Sequence, residues 1–217
     1  MLVLEGGNTD LRKGERTGKL LINTDLGDGM MVVEEVLERY PRTVRLRDCE
    51  VVFRPLRPGD ADMLCAYFQK DLDDRDIAFL KDNVRDCEVL RGWCENIKYE
   101  RVFPLVALVG ERIVANSSLH MGTFGWTRCV GKVRITVARD MRGKGLGAAM
   151  VGELEEVAKV LGLERLWAEV VVEAQAPAAE LFKRLGFVEE GRLQGIAKDP
   201  RGELYDVAIY IKRLVDY

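Results

Sequence analysis

Hydrophobic side chains recur with two different periods along the chain, and these periods predict a mixture of strands and helices. Between residues 130 and 138 apolar and polar positions alternate, as in a strand with one buried face. The clearest helix follows at 146–161, where apolar residues recur every three or four positions and Gly162 provides a stop. Its apolar face is formed by Leu146, Met150, Leu154, Val157 and Leu161.

The same criteria, with Gly and Pro as boundaries, predict the remaining elements. Helices are predicted at 32–40, from Asp60 to about 68, over 74–97 and from Pro177 to 185; strands are predicted at 43–47, 50–54, 105–109, 113–119, 166–172, 191–197 and 204–213. The order predicts an α/β fold with a mixed, central twisted sheet and flanking helices. The strands on either side of the 146–161 helix are expected to be parallel.

Hydrophobic residues show little periodicity before residue 30, where glycine recurs among charged residues. We therefore predict that residues 1–42 are an N-terminal extension, partly flexible, and that 43–217 form one domain. The start of the chain lacks the charged-then-apolar order of a signal peptide, and no apolar run has the length of a membrane span.

Composition narrows the class of protein. The net charge is −3 with both signs mixed, which argues against a dedicated nucleic-acid binder. Five widely spaced cysteines and a single histidine make a zinc site improbable and favour reduced thiols in a cytoplasmic protein. No metal is expected, and a homodimer is compatible with the sequence.

A glycine-rich loop at residues 142–147 (RGKGLG) lies between the predicted strand and helix. Glycines let backbone approach a ligand closely, and a helix start offers unpaired N–H groups with a partial positive charge. The loop therefore predicts a phosphate or pyrophosphate site. The residues after it are too few for a dinucleotide-binding sheet, and no GxxxxGK[ST] motif is present.

Three segments together resemble the GNAT N-acetyltransferases. The stretch 135–147 (ITVARDMRGKGLG) resembles the family's acetyl-CoA motif, [Q/R]xxGx[G/A], through Arg142, Gly145 and Gly147. Residues 181–187 (LFKRLGF) resemble the second motif, LYxxxGF, and residues 53–61 (FRPLRPGDA) resemble the first strand and turn. The resemblance covers about 43–214 and has the family's order and spacing.

The resemblance implies that acetyl-CoA binds at this loop and along the strand before it. The cofactor-binding residues that it implies are Thr136, Val137, Ala138, Arg142, Gly143, Lys144, Gly145, Leu146, Gly147, Gln175 and Phe182. Gln175 stands where many members carry asparagine, and Lys132 stands where many carry an acidic residue.

Catalytic candidates follow from the same resemblance. Glu169 matches the glutamate that ribosomal-protein alanine acetyltransferases use as a base, although a strand glutamate can equally be a structural ion-pair partner. The family's proton-donating tyrosine is replaced by Phe182, so Tyr205 or Tyr210 on the last hairpin, or water, would protonate the thiolate. Glu173 is the next candidate base.

Two further side chains are weaker candidates. His120 could act as a base, since its ordinary pKa is near neutrality, but a lone histidine at a strand end is more often structural. Cys129 could be an acylated nucleophile, yet no base lies near it in the sequence.

The predicted function is acetyl-CoA-dependent transfer of an acetyl group directly to a primary amine. Residues 41–58 resemble bacterial protein-lysine acetyltransferases, which implies a protein lysine or N-terminus as acceptor. The acidic positions Asp71, Asp73, Asp74 and Asp76 would attract a cationic acceptor or, as we favour, form a solvated helix start. The alternative function is an acyl-CoA-binding regulatory module that has lost catalysis.

Overall fold

An open sheet of eight strands forms the centre of the computed structural model, which describes residues 26–215. The strands are β1 (Arg42–Arg45), β2 (Glu50–Pro55), β3 (Val102–Val109), β4 (Arg112–Met121), β5 (Val130–Val137), β6 (Arg165–Val171), β7 (Val188–Lys198) and β8 (Leu204–Arg213). Their order is β1-β2-β3-β4-β5-β6-β8-β7, and only β5 and β6 pair in parallel. The predicted mixed α/β sheet is confirmed. Residues 1–25 of the predicted N-terminal extension (1–42) lie outside the described residues.

Six helices flank the sheet within residues 26–215. They are α1 (Leu26–Leu37), α2 (Ala61–Ala66), α3 (Asp74–Ile77), α4 (Cys87–Glu95), α5 (Leu146–Val160) and α6 (Ala176–Arg184). A π-helical turn, Tyr67–Asp71, continues α2. No helix of this part of the chain is long and apolar enough to cross a membrane.

A single hydrophobic core lies between the sheet and the helices. The apolar face of α5 supplies Met150 and Leu154, and β3 and β4 supply Phe103 and Leu119, all fully buried. Val36 of α1 belongs to the same core. Tyr40, just after α1, donates a hydrogen bond of 3.0 Å to Glu153 of α5, so the end of the predicted extension packs onto the domain.

The parallel strands β5 and β6 separate after three residue pairs. Val130 pairs with Arg165, Gly131 with Leu166 and Lys132 with Trp167, and no later pair is formed. Beyond that point β6 pairs only with β8, so the β6-facing edge of β5 from 133 to 137 is open. The sheet therefore contains a V-shaped opening that widens toward the glycine-rich loop.

The predicted single helical region at 74–97 is wrong. Two short helices form instead, and the segment 78–86 between them contacts β6 through Lys81–Glu169 and β5 through Asp82–Arg134. Asp73 caps α3 by accepting from the amide of Asp76, and Asp86 caps α4 by accepting from the amide of Glu88. Each cap begins a new helix, because its side chain replaces a helical backbone partner.

The cysteines also differ in part from the expectation. Cys65 of α2 and Cys87 of α4 form a disulfide, with Cα atoms 5.4 Å apart, where reduced thiols were predicted. Cys49, Cys94 and Cys129 are free thiols. The disulfide links α2 to α4.

A buried ion pair anchors the start of α2. Arg54 of β2 binds Asp60 through two hydrogen bonds of 2.5 and 2.8 Å, and both residues are less than a tenth exposed. Asp60 also accepts from the backbone amide of Arg57 at 2.8 Å. Asp60 occupies the N-cap position of α2, but its carboxylate makes no cap hydrogen bond to that helix and instead fixes the turn to the strand.

Candidate active site

The V-shaped opening forms one end of a large cleft. The cleft has a volume of about 1650 Å³ and is bounded by β4, β5, the glycine-rich loop, α6 and the segment 75–84. The glycine-rich loop lies at one end, and the ends of β3 and β4 nearest residues 101 and 120 lie at the other. The glycine-rich loop and the candidate base Glu169 therefore border the same cleft.

The glycine-rich loop has the backbone of an open anion cradle. Gly143 and Gly145 have φ of +74° and +88°, a region that favours glycine, and Gly145 directly precedes α5. A Cβ placed on either residue would meet no heavy atom within 4 Å, so the space beside the backbone is empty. The first amides of α5 lack partners inside the helix and face this end of the cleft. The arrangement suits a phosphate or pyrophosphate.

Arg142 is held away from the backbone cradle. Its guanidinium donates to Asp76 at 2.5 Å and to the carbonyl of Val137 at 3.2 Å. These bonds tie the loop to α3 and to the end of β5. Lys144 remains a cation on the cleft wall.

The acidic positions near α3 are occupied by internal contacts. Asp71 binds Arg112 at 2.6 Å, Asp74 binds Arg85, and Asp76 binds Arg142. Asp73 caps α3. The favoured interpretation of this stretch, a helix start, agrees with these contacts, and none of the four carboxylates is left to attract a cationic acceptor.

The predicted pantetheine segment lies on the open edge of β5. The side chain of Thr136 accepts a hydrogen bond of 2.9 Å from the buried hydroxyl of Tyr67, which joins β5 to the π-helical turn. Burial raises the pKa of Tyr67 well above its usual value, so this phenol stays protonated. Ala138 is fully buried and donates its amide to Val114, so its amide is already used within the sheet.

Gln175 and Phe182 border the cleft from α6. The side-chain oxygen of Gln175 accepts from the amide of Val171 at 2.9 Å and so closes the end of β6. Phe182 is only 3% exposed and packs edge-to-face against Phe187, with ring centroids 5.0 Å apart. Both residues shape the wall, and Phe182 offers no proton.

Glu169 lies just beyond the last β5–β6 pair, between two lysines. Its carboxylate binds Lys132 of β5 and Lys81 of the segment 78–86. Burial alone would raise the pKa of Glu169, but the hydrogen bonds from the two ammonium groups outweigh it and hold the pKa below its usual range. Glu169 is therefore ionised at neutral pH and accepts protons weakly.

The two tyrosines of the last hairpin do not border the cleft. Tyr205 donates to Glu203 at 2.9 Å, and its ring packs edge-to-face against Phe79. Tyr210 is 2% exposed and donates to Glu189 at 3.0 Å. The hydrogen bond to Glu203 raises the pKa of Tyr205, and burial, followed by the hydrogen bond to Glu189, raises the pKa of Tyr210.

His120 and Cys129 differ in their relation to the cleft. His120 borders it, and one ring nitrogen lies 2.9 Å from the hydroxyl of Ser118. Burial, followed by repulsion from Arg134 and Lys132, lowers the pKa of His120 to about 4, so the ring is neutral at pH 7. Cys129 lies outside the cleft lining, as does the exposed Glu173.

The cleft wall is strongly basic, which the overall net charge of −3 conceals. It carries eleven lysine and arginine side chains and three carboxylates. The cations are Arg47, Arg75, Lys81, Lys98, Arg101, Lys132, Arg134, Arg142, Lys144, Arg184 and Lys198. They come from segments spread over about 150 residues of sequence, so no local run of charged residues predicts this basic surface.

Comparison with known proteins agrees with this geometry. The sequence model of the Acetyltransferase (GNAT) family matches residues 64–187. Among solved structures, the ribosomal-protein-S5-alanine acetyltransferase from Vibrio fischeri is 19% identical with a TM-score of 0.67, covering 81% of this chain and 98% of its own. The ribosomal-protein-alanine N-acetyltransferase from Brucella melitensis is 24% identical with a TM-score of 0.65, covering 74% and 98%. The GNAT domain of S. lividans PAT is 18% identical with a TM-score of 0.65, covering 79% and 96%.

Those three likenesses concern the fold. The family match extends over more than half of the chain and includes the open strand edge, the glycine-rich loop and α6. The chain belongs to the acetyltransferase (GNAT) family.

Proposed function

We propose that this protein is an acetyl-CoA-dependent N-acetyltransferase that moves an acetyl group directly to a primary amine. The observation that carries the proposal is the open edge of β5, which leads straight into the glycine cradle at the start of α5. An extended pantetheine arm can add to such an edge as a short strand would. The pyrophosphate would then lie at the helix start.

The residues present fit coenzyme A at this place. Gly143 and Gly145 leave the space that a Cβ would fill, and Lys144 supplies a positive charge beside it. Gly147 lets α5 approach α6, because a Cβ there would lie 3.3 Å from a methyl group of Leu181. An alanine at 147 would require the Leu181 side chain to shift by a few tenths of an ångström.

The transfer step needs an uncharged amine and a departing thiol. The amine nitrogen bonds to the thioester carbonyl carbon, the carbon–sulfur bond breaks, and the amine's proton leaves. Glu169 is the proposed partner of the incoming ammonium, which would displace the half-exposed Lys81 from the carboxylate. Since the pKa of Glu169 is lowered, it would orient the amine and relay its proton to water rather than hold the proton itself.

The leaving thiolate has no tyrosine partner among the residues that border the cleft. Tyr205 would have to release Glu203 and move into the cleft to serve as the donor. Water is the simpler proton source, and the ammonium of Lys132 beside Glu169 would stabilise the negative charge.

A second function, an acyl-CoA-binding regulatory module, is favoured by two observations. Phe182 cannot donate a proton, and both oxygens of Glu169 are occupied by lysines. Calorimetry with acetyl-CoA, followed by a free-thiol assay over a panel of primary amines, separates the two functions. Binding with amine-dependent thiol release supports the transferase, whereas binding without turnover on any amine supports the module. Absence of binding would contradict both.

A further inference from the structure

We infer that the acceptor amine carries an anionic group, a carboxylate or a phosphate, on the same molecule. This inference rests on the proposed transferase function and concerns only the acceptor. It follows from how charge is distributed inside the cleft and from which charges are already neutralised.

Every carboxylate that borders the cleft is consumed by a cation of the wall. Asp76 pairs with Arg142, Asp82 pairs with Arg134 at 3.3 Å, and Glu169 holds two lysines. After these pairings the wall keeps a clear excess of positive charge. A concave surface with charge of one sign concentrates ligands of the opposite sign.

Two cations of this excess stand at the far end of the cleft. Lys98 and Arg101 precede β3, both are exposed, and neither has a carboxylate within ion-pair distance in the described part of the chain. The amide of Met121 donates to the carbonyl of Arg101, which places Arg101 beside the end of β4. Both side chains are therefore available to a ligand.

The phosphates of coenzyme A do not account for these two cations. The pairing of Val102 with His120 and of His120 with Lys132 puts the start of β3 level with Lys132. Lys132 lies five residues before the end of β5, about 17 Å from the glycine end of the strand at the usual rise per residue. Lys98 and Arg101 therefore face the acceptor, which would enter from the end opposite the cofactor phosphates.

The same wall disfavours a second positive charge on the acceptor. Lys81 and Lys132 already flank Glu169, where the acceptor amine is proposed to lie. A diamine would bring another ammonium group toward Lys98 and Arg101, with no unpaired carboxylate among the described residues that border the cleft to receive it. An amino acid or an aminoalkyl phosphate would instead place its anion there.

Four amines of matched length test this directly. γ-Aminobutyrate, 3-aminopropylphosphonate, butylamine and 1,4-diaminobutane are compared by kcat/KM in the free-thiol assay with the full chain. We expect at least one of the two anionic amines to exceed butylamine by about tenfold or more, and the diamine to be the poorest. The first two compounds distinguish a carboxylate from a phosphate preference. The advantage should shrink as salt is raised, because these cations are exposed.

Variants test whether Lys98 and Arg101 cause the preference for anionic amines. Replacing both cations, Lys98→Gln with Arg101→Gln, should lower the ratio of anionic to uncharged amine about tenfold. Lys159→Gln, which removes a charge from α5 outside the cleft, should leave that ratio unchanged. Equal rates for the four amines, or a preference for the diamine, would overturn the inference while the proposed function stands.

A second readout keeps the test independent of turnover. Binding of N-acetyl-γ-aminobutyrate and N-butylacetamide to the protein with coenzyme A is measured by calorimetry. Tighter binding of the anionic product would show that this end of the cleft selects an anion even if no amine reacts, in which case the proposed transfer fails and the anion preference stands. Equal binding, or none, counts against it.

Discussion

Lys132 of β5 and Glu169 of β6 form an ion pair at the point where the two parallel strands separate. Lys132 is the last residue of β5 to pair with β6, and its ammonium also lies 5.9 Å from the ring centroid of Trp167. Glu169 follows Trp167 by two positions and so faces the same side of the sheet. The pair therefore closes the apex of the opening in which the proposed acetyl transfer takes place.

Glu169→Gln is expected to slow acetyl transfer strongly while acetyl-CoA binding stays intact. Glutamine keeps the size and can still accept a hydrogen bond, but it cannot hold the acceptor's ammonium or take its proton. A loss of 10²- to 10⁴-fold in kcat is expected for the removal of such a group. Steady-state kinetics by thiol release give the rate, and calorimetry gives the cofactor affinity.

Glu173→Gln is the matched control, because Glu173 is exposed and lies outside the cleft. It should change neither rate nor affinity. A Glu169→Gln enzyme with the parent rate would remove Glu169 from the mechanism and leave it as a structural ion-pair partner.

The geometry of the glycine-rich loop could be predicted from sequence because its signals are local. Glycines, a strand before them and an amphipathic helix after them lie within 35 residues, and the structure places Gly145 at the start of α5 as expected. Glu169 could be singled out from sequence, but its two lysine partners could not, because these contacts are distant in sequence. Lys81 and Glu169 are 88 residues apart, and periodicity alone suggested a continuous helix where Lys81 in fact lies in the segment between α3 and α4.

His120 should make the protein less stable in mild acid. Burial holds its pKa at about 4 in the native state, against 6.5 for an unperturbed histidine. Below pH 6.5 the unfolded chain therefore binds a proton that native His120 does not, and the free energy of unfolding falls as pH falls toward 4. For this partly exposed ring we expect about 2 kcal/mol over that interval.

Urea unfolding at several pH values checks this, with His120→Gln as the comparison. The variant should lose less stability between pH 6.5 and 4 than the parent, since glutamine does not titrate and can still bond to Ser118. Parallel pH curves for the two proteins would show that the histidine is solvated and not responsible.

Asp60→Asn should destabilise the fold by about 3 kcal/mol. The change leaves the guanidinium of Arg54 buried without its charge partner, and breaking one side of a buried pair costs far more than a surface pair does. Asp62→Asn is the control, because that side chain is almost fully exposed and lies 4.0 Å from Arg91. Urea midpoints at neutral pH measure both. A loss below 1 kcal/mol for Asp60→Asn would mean that water replaces the carboxylate.

Alanine substitutions at Gly145 and Gly152 distinguish a glycine that the cofactor requires from a glycine that only affects the stability of the fold. At Gly145 the φ of +88° disfavours any other residue, so Gly145→Ala should cost about 1 kcal/mol of stability and place a methyl group in the cradle. We expect acetyl-CoA affinity to fall at least tenfold by calorimetry. Gly152 lies inside α5 with open space around it, so Gly152→Ala should raise stability by up to about 1 kcal/mol.

Gly145→Ala and Gly152→Ala are a matched pair, because each adds one methyl group, the first just before α5 and the second within it. If Gly145→Ala loses stability but binds acetyl-CoA as the parent does, the loop is a structural turn and the cofactor lies elsewhere. If only Gly145→Ala loses binding while Gly152→Ala keeps it, the empty space beside the Gly145 backbone is where the pyrophosphate is held.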